Sequence, residues 1–320
     1  MDSQALTELA LRILPCNQNE LATTLKVSPT QISKWKKGEH MSSEMEKKLK
    51  ALTRIGDMDP SFVLAAGSVR DAKKWERLMH YLAENAYEAA ETGYNTYPLT
   101  DEELPRSLLC GETFRTLTDM GIAIPKEFPK ELDMKNYDVD DGGETWEILE
   151  QNAYSNVIYS IYKSLNDVYG FYLAYVEELI DDDDLELSGT AADNIEPCLM
   201  SLAACKVEVS EEFAPNLREF RYKTKNEYTE WLTVVKDRAF RAGVPLRAEL
   251  MDLVTDSRDE LSHEAEAESL GFNASRLHPD IYMNELLVGM RTIHQVLPAI
   301  MKKLGIYDEF KLNGSELRID

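Results

Sequence analysis

Along residues 17–38, NQNELATTLKVSPTQISKWKKG, apolar and polar positions alternate so as to predict two short helices joined by a tight turn. Asn17 stands three residues before Glu20, the reciprocal spacing of a capping box, so a helix starts there. Leu21, Ala22 and Leu25 share one of its faces, and the small Ala22 leaves room for a crossing helix. Ser28 repeats the capping logic with Gln31, and Pro29 takes the first helical position, where its missing N–H costs nothing. In this second helix Ile32 and Trp35 face inward. Thr30, Gln31, Ser33, Lys34, Lys36 and Lys37 are left for water or a ligand, and Gly38 closes the helix in a left-handed conformation.

Helical spacing recurs on both sides. Leu6, Leu9, Ala10, Ile13 and Leu14 predict an earlier helix, and Met45, Leu49 and Leu52 a later one. Gly56-Asp57-Met58-Asp59-Pro60 then punctuates the chain as a short linker. Beyond it, three-to-four-residue steps predict helices at about 61–92, 101–120, 191–206, 211–241, 245–268 and 280–304. The longest stripe, from Trp146 to Leu179, would span roughly 50 Å if continuous over 145–180, with Gly170 as a site for a kink. No strand-length alternating run competes, so the expected class is all-α. The expected division is a head of residues 1–55, a linker of 56–62 and an acidic all-helical domain of 63–320 for oligomerisation or regulation.

On Gln18, Glu20, Leu21, Ala22, Leu25, Val27, Ser28, Ile32, Ser33, Trp35 and Gly38, the segment resembles the lambda-repressor-like (Cro/C1, XRE-type) helix-turn-helix family. The resemblance covers roughly residues 3–54. It departs at Lys26, where that family usually has Gly; a non-Gly residue at positive φ costs on the order of 1 kcal/mol. It implies binding of double-stranded DNA, with Thr30, Gln31 and Lys34 placed for base edges and Gln18, Ser28, Ser33, Lys36 and Lys37 for phosphates.

Charge divides the chain in the same place. Residues 1–54 carry nine Lys or Arg against six Asp or Glu, a balance of +3, so the remainder carries −26 of the total −23. Such a body repels a polyanion and confines nucleic acid to the basic head. At 320 residues and 43% hydrophobic composition the chain can bury a sizeable core. Cys16, Cys110, Cys198 and Cys205 lack metal-ligand spacing, and there is no leader-like start or long apolar run. Together these argue for a cytoplasmic protein with no disulfide, metal, cofactor or membrane span.

Other patterns read as structure before chemistry. Tyr154, Tyr159, Tyr162, Tyr169, Tyr172 and Tyr175 could stack on a ligand, but core filling is the plainer reading. Asp181–Asp184 lack the spacing of a calcium loop and read as a solvated helix end, as do Asp138, Asp140 and Asp141. The basic residues Arg218, Arg221, Lys223, Lys225, Lys236, Arg238, Arg241 and Arg247 suit pairing with the chain's own acids more than contact with DNA flanks. Arg258 and His263 match the R-x4-H pattern and so resemble HEPN-type ribonucleases, in which His acts as acid or base and Arg neutralises phosphate. Glu260, Glu264, Glu266 and Glu268 would repel RNA there, which favours a surface or capping histidine. Glu260 and His263 also form a lone Glu-x-x-His, where a di-iron bundle needs two.

The sequence thus points to a non-catalytic, sequence-specific transcriptional regulator that works as a homodimer assembled after residue 60, with an effector or protein partner open for its C-terminal part. The alternatives are the HEPN-like ribonuclease and an antitoxin or adaptor that binds protein.

Overall fold

The computed structural model describes residues 3–90, 106–138, 143–193, 199–242 and 279–307. Every regular element among them is helical, as expected for an all-α chain. The first four helices are α1 (Ser3–Ile13), α2 (Gln18–Leu25), α3 (Pro29–Trp35) and α4 (Ser43–Thr53). They close around Leu6, Leu9, Leu21, Ile32, Trp35 and Leu49, each at most 3% exposed.

The segment expected to be a linker is instead packed. Asp59 caps α5 (Pro60–Ala66) by accepting from the N–H of Phe62 at 3.0 Å. Phe62, Val63 and Ala66 are fully buried between α1 on one side and α6 (Val69–Glu88) and α7 (Arg106–Asp119) on the other. Arg12 of α1 also donates to the carbonyl of Leu64 at 3.2 Å. The apolar core therefore runs without interruption from Leu6 through Ile55, Met58 and Phe62 into the larger part of the chain.

The single helix expected over 61–92 is two. At Gly67 φ is +88°, and a β-carbon there would lie 2.5 Å from the carbonyl oxygen of Lys126. No other residue fits, so α5 ends and Ser68 starts α6 by accepting from the N–H of Asp71. Trp75 on α6 is fully buried, edge-on to Phe114, Phe128 and Tyr154 at centroid distances of 5.3, 5.0 and 6.0 Å.

The 145–180 stripe is broken as well, and not at Gly170. Asn152, with ψ at 126°, ends α8 (Glu144–Gln151) and caps α9 (Ala153–Tyr175) by accepting from the N–H groups of Tyr154 and Ser155. A short α10 (Glu177–Ile180) follows. The apolar face of α9, Val157, Ile161, Leu165 and Val168, is buried against α6 and α11 (Leu199–Cys205). The stripe is thus spent on the chain's own core. Tyr162 is fully buried with its hydroxyl 2.8 Å from that of Thr113, and Tyr169 and Tyr172 are buried too, so these tyrosines fill the core.

Two long helices complete the described chain, α12 (Leu217–Ala242) and α13 (Pro279–Leu304). Arg221 of α12 donates to the carbonyls of Cys205 and Val207, and Arg218, Arg238 and Arg241 pair with Glu211, Glu186 and Asp237. The basic run there is largely paired internally. Arg247 and the helix expected over 245–268 lie outside the described residues.

Because Phe62 joins the two packings, its ring 5.0 Å from that of Phe114, Phe62→Ala should cost about 3–5 kcal/mol. Denaturant melts followed by far-UV circular dichroism and by head-specific amide exchange should shift together. Two separated transitions in the unaltered chain would show that head and body fold independently.

Candidate nucleic-acid interface

Local sequence dictates the α2–α3 unit almost residue by residue. Asn17 accepts from the N–H groups of Asn19 and Glu20 while Glu20 accepts from the N–H of Asn17 at 2.8 Å, the full capping box. Lys26 ends α2 at φ 59° and ψ 40°, a left-handed residue where glycine would be unstrained. Its N–H and that of Val27 close on Thr23 and Ala22. Ser28 then caps α3 by accepting from the N–H of Gln31 at 3.2 Å, and Gly38 ends the segment at φ +83°. Ile32 and Trp35 point into the core.

The polar residues expected at the interface all lie outside the core of this unit, but are not equally free. Gln18 donates both side-chain amide protons, to the carbonyl of Pro29 at 2.9 Å and to Oγ of Ser33 at 2.6 Å. The carbonyl partner requires a donor, which fixes the orientation of the amide. Gln18 therefore ties α2 to α3 and has no side-chain proton left for a phosphate; it positions rather than contacts, and Ser33 is its partner. Ser28 keeps its hydroxyl proton, since its oxygen serves the cap as acceptor. The side-chain amide of Gln31 makes no reciprocal capping bond and is left for a ligand. Thr30, Lys36 and Lys37 are exposed, and neither lysine forms an ion pair among the described residues.

Lys34 is different. Its ammonium lies 3.3 Å from the carboxylate of Glu39, with both side chains about half exposed. Glu39 is held there by its own backbone: its N–H donates to the carbonyl of Lys34 and its carbonyl accepts from Ser3 Oγ at 2.8 Å. The indole N–H of Trp35 fixes the next residue through the carbonyl of His40 at 3.2 Å. Glu39 was not singled out from the sequence. The signal was available, because a left-handed Gly38 turns the chain back on α3.

Arg258 and His263 lie outside the described residues, as do Glu260 and Asp140 and Asp141. Among the described residues no group of His, Cys, Asp or Glu is arranged to hold a metal, and no helix is long and apolar enough to cross a membrane. Asp181–Asp184 sit at the end of α10, where Asp182 accepts from the N–H of Asp184, a solvated helix end. Cys16, Cys110 and Cys205 are free thiols. Burial pushes the thiol of Cys205 up to about 11 and that of Cys110 higher still, so neither is a nucleophile near neutral pH. Compared with models of known families, with curated proteins and with solved structures, the chain matches none.

The strain at Lys26 is directly testable. Lys26→Gly should stabilise the head by up to about 1 kcal/mol, since glycine adopts the left-handed turn without steric cost, less the entropy it adds to the unfolded chain. Urea melts should show a higher midpoint. A loss of stability would mean that the turn is not strained.

Proposed function

We propose that this protein is a sequence-specific DNA-binding regulator that reads duplex DNA with the outer face of α3. The observation that carries the reading is the exposure of Ser28, Thr30, Lys34, Lys36 and Lys37, with Gln31 half-buried beside them, on a rigid, doubly capped helix pair within a head of positive charge balance. Gln18 and Ser33 lock the angle between the two helices. Thr30, Gln31 and Lys34 are the base-reading candidates, and Ser28, Lys36 and Lys37 hold phosphates. Glu39 competes with DNA for Lys34; an exposed pair is worth only about 0–1 kcal/mol, so it is easily exchanged for a phosphate or a base acceptor.

One recognition helix buries too little surface to select a site in a genome, which favours a second copy. The surface best suited to it is α13. There Ile293, Leu297, Ile300 and Leu304 are all exposed, between 47% and 67%, and follow each other by four, three and four residues, the spacing of a helix-to-helix seam. A homodimer through α13 follows. Light scattering should give a dimer mass that Leu297→Asp reduces to a monomer; a native monomer at micromolar concentration would contradict it.

Contacts to phosphate and to bases separate experimentally. Lys36→Ala and Lys37→Ala should each weaken every duplex alike and flatten the salt dependence by about one unit of slope. Thr30→Ala and Lys34→Ala should change which sequences are preferred, by roughly 1–3 kcal/mol per lost base contact. Glu39→Gln, by freeing Lys34, should tighten binding up to about fivefold. The readout is fluorescence anisotropy on a selected operator and a scrambled duplex over a salt series. Unchanged binding in Lys34→Ala, Lys36→Ala and Lys37→Ala would remove this face from contact with DNA.

A further inference from the structure

A cavity of about 550 Å³ opens where α5 meets α7, next to Lys50 of α4. Sites for small molecules commonly span about 300–1,000 Å³. Its lining is mainly apolar: the rings of Phe62 and Phe114, with Met58 and Leu108 beside them. Leu108 stays 50% exposed, so apolar area is left open here instead of being packed. Gly111 on α7 keeps the space clear, since a β-carbon added there would meet no atom within 4 Å.

Charge around the cavity is one-sided. Asp57, Asp59, Glu112 and Asp119 line it against two cations, Lys50 and Arg115. Both cations are already paired, Lys50 with Glu46 at 3.0 Å and Arg115 with Glu112. Asp59 uses one oxygen as the cap of α5. The side-chain carboxylates of Asp57 and Asp119 form neither an ion pair nor a hydrogen bond among the described residues.

We propose that this cavity binds a small amphipathic cation, an aromatic or cyclic apolar body carrying a protonated amine. The body covers the open side of Leu108 and rests on the accessible edges of Phe62, Phe114 and Met58, and the ammonium meets the free carboxylates of Asp57 and Asp119. An anion would enter against the field of a chain of net charge −23, whereas a cation is concentrated by it. A neutral ligand gains the apolar contact but leaves both carboxylates as they were. The proposal stands independently of DNA binding, because it rests on the cavity alone.

The test is calorimetric titration of the full chain with three probes of one shape: 1-naphthylmethylammonium, 1-naphthylmethanol and 1-naphthoate. The ammonium should bind saturably at one site, the alcohol at least about tenfold more weakly, and the carboxylate not at all. Gly111→Leu should abolish binding while the melting temperature stays at or above that of the native chain. Its side chain enters open space, and leucine is the better helix former. Asp57→Asn combined with Asp119→Asn should bring the ammonium down to the affinity of the alcohol. Absence of saturable ammonium binding, equal binding of all three probes, or full binding by a folded Gly111→Leu protein would each overturn the proposal.

Discussion

The seven residues of α5 belong to two packings at once, and the arrangement of everything around them follows from that. Its start is set by Asp59 and Pro60, its end by a glycine against which the Lys126 carbonyl presses, and its buried face by Phe62, Val63 and Ala66. A four-helix head of about fifty residues buries a small fraction of its surface when alone and is marginal for that reason. Here the core of the head continues through Ile55 and Met58 into α5, and from there into the aromatic nest around Trp75. The head borrows stability from the body, and the body in turn would expose Phe62 and Val63 without the head.

Such packing changes the meaning of the charge asymmetry. On a flexible tether, a basic head could turn away from an acidic body and the two fields would average out over its motion. Held by α5, the head keeps a fixed relation to the surrounding carboxylates, so the repulsion of a polyanion acts at constant geometry. Within the head the same balance recurs at shorter range, where Glu39 screens Lys34 while Lys36 and Lys37 form no ion pair among the described residues. Contact energy of exposed pairs is small, but their placement decides which cations are available first.

What was legible in the sequence, and what was not, follows the range of the interactions involved. The caps at Asn17 and Ser28, the left-handed Lys26 and Gly38 and the inward Ile32 and Trp35 are all local, set by residues within five positions of each other. Spacing therefore announces them, apart from the left-handed Lys26, which only the resemblance to the helix-turn-helix family implies. The breaks at Gly67 and Asn152 are not visible in apolar periodicity, because the stripes continue across them. Asn152 looks like any polar helix residue until its side chain is seen capping Tyr154 and Ser155, and Gly67 is demanded by a carbonyl 59 positions away. Residues 56–62 misled for a related reason. Gly, Asp and Pro signal an interruption of helix, which does occur, but they carry no information on whether the interruption is solvated or buried. At the candidate interface the local signals marked polar side chains that lie outside the core but overstated the freedom of Gln18, whose bond to Ser33 depends on how α2 crosses α3.

The burial of α5 also bears on how two copies would meet DNA if they read it as proposed. Half-sites for paired recognition helices lie about one DNA turn apart, near 34–36 Å centre to centre, and a long flexible linker would tolerate other spacings. A head fixed to its body tolerates few, because Phe62, Val63 and Ala66 of α5 would have to leave a core they share with both. Discrimination then comes from two sources, the contacts of Thr30, Gln31 and Lys34 to bases and the match between operator spacing and the distance set by the body. Loosening α5 would be expected to leave the first intact and erode the second, so that each half-site is still preferred while the spacing between half-sites ceases to matter.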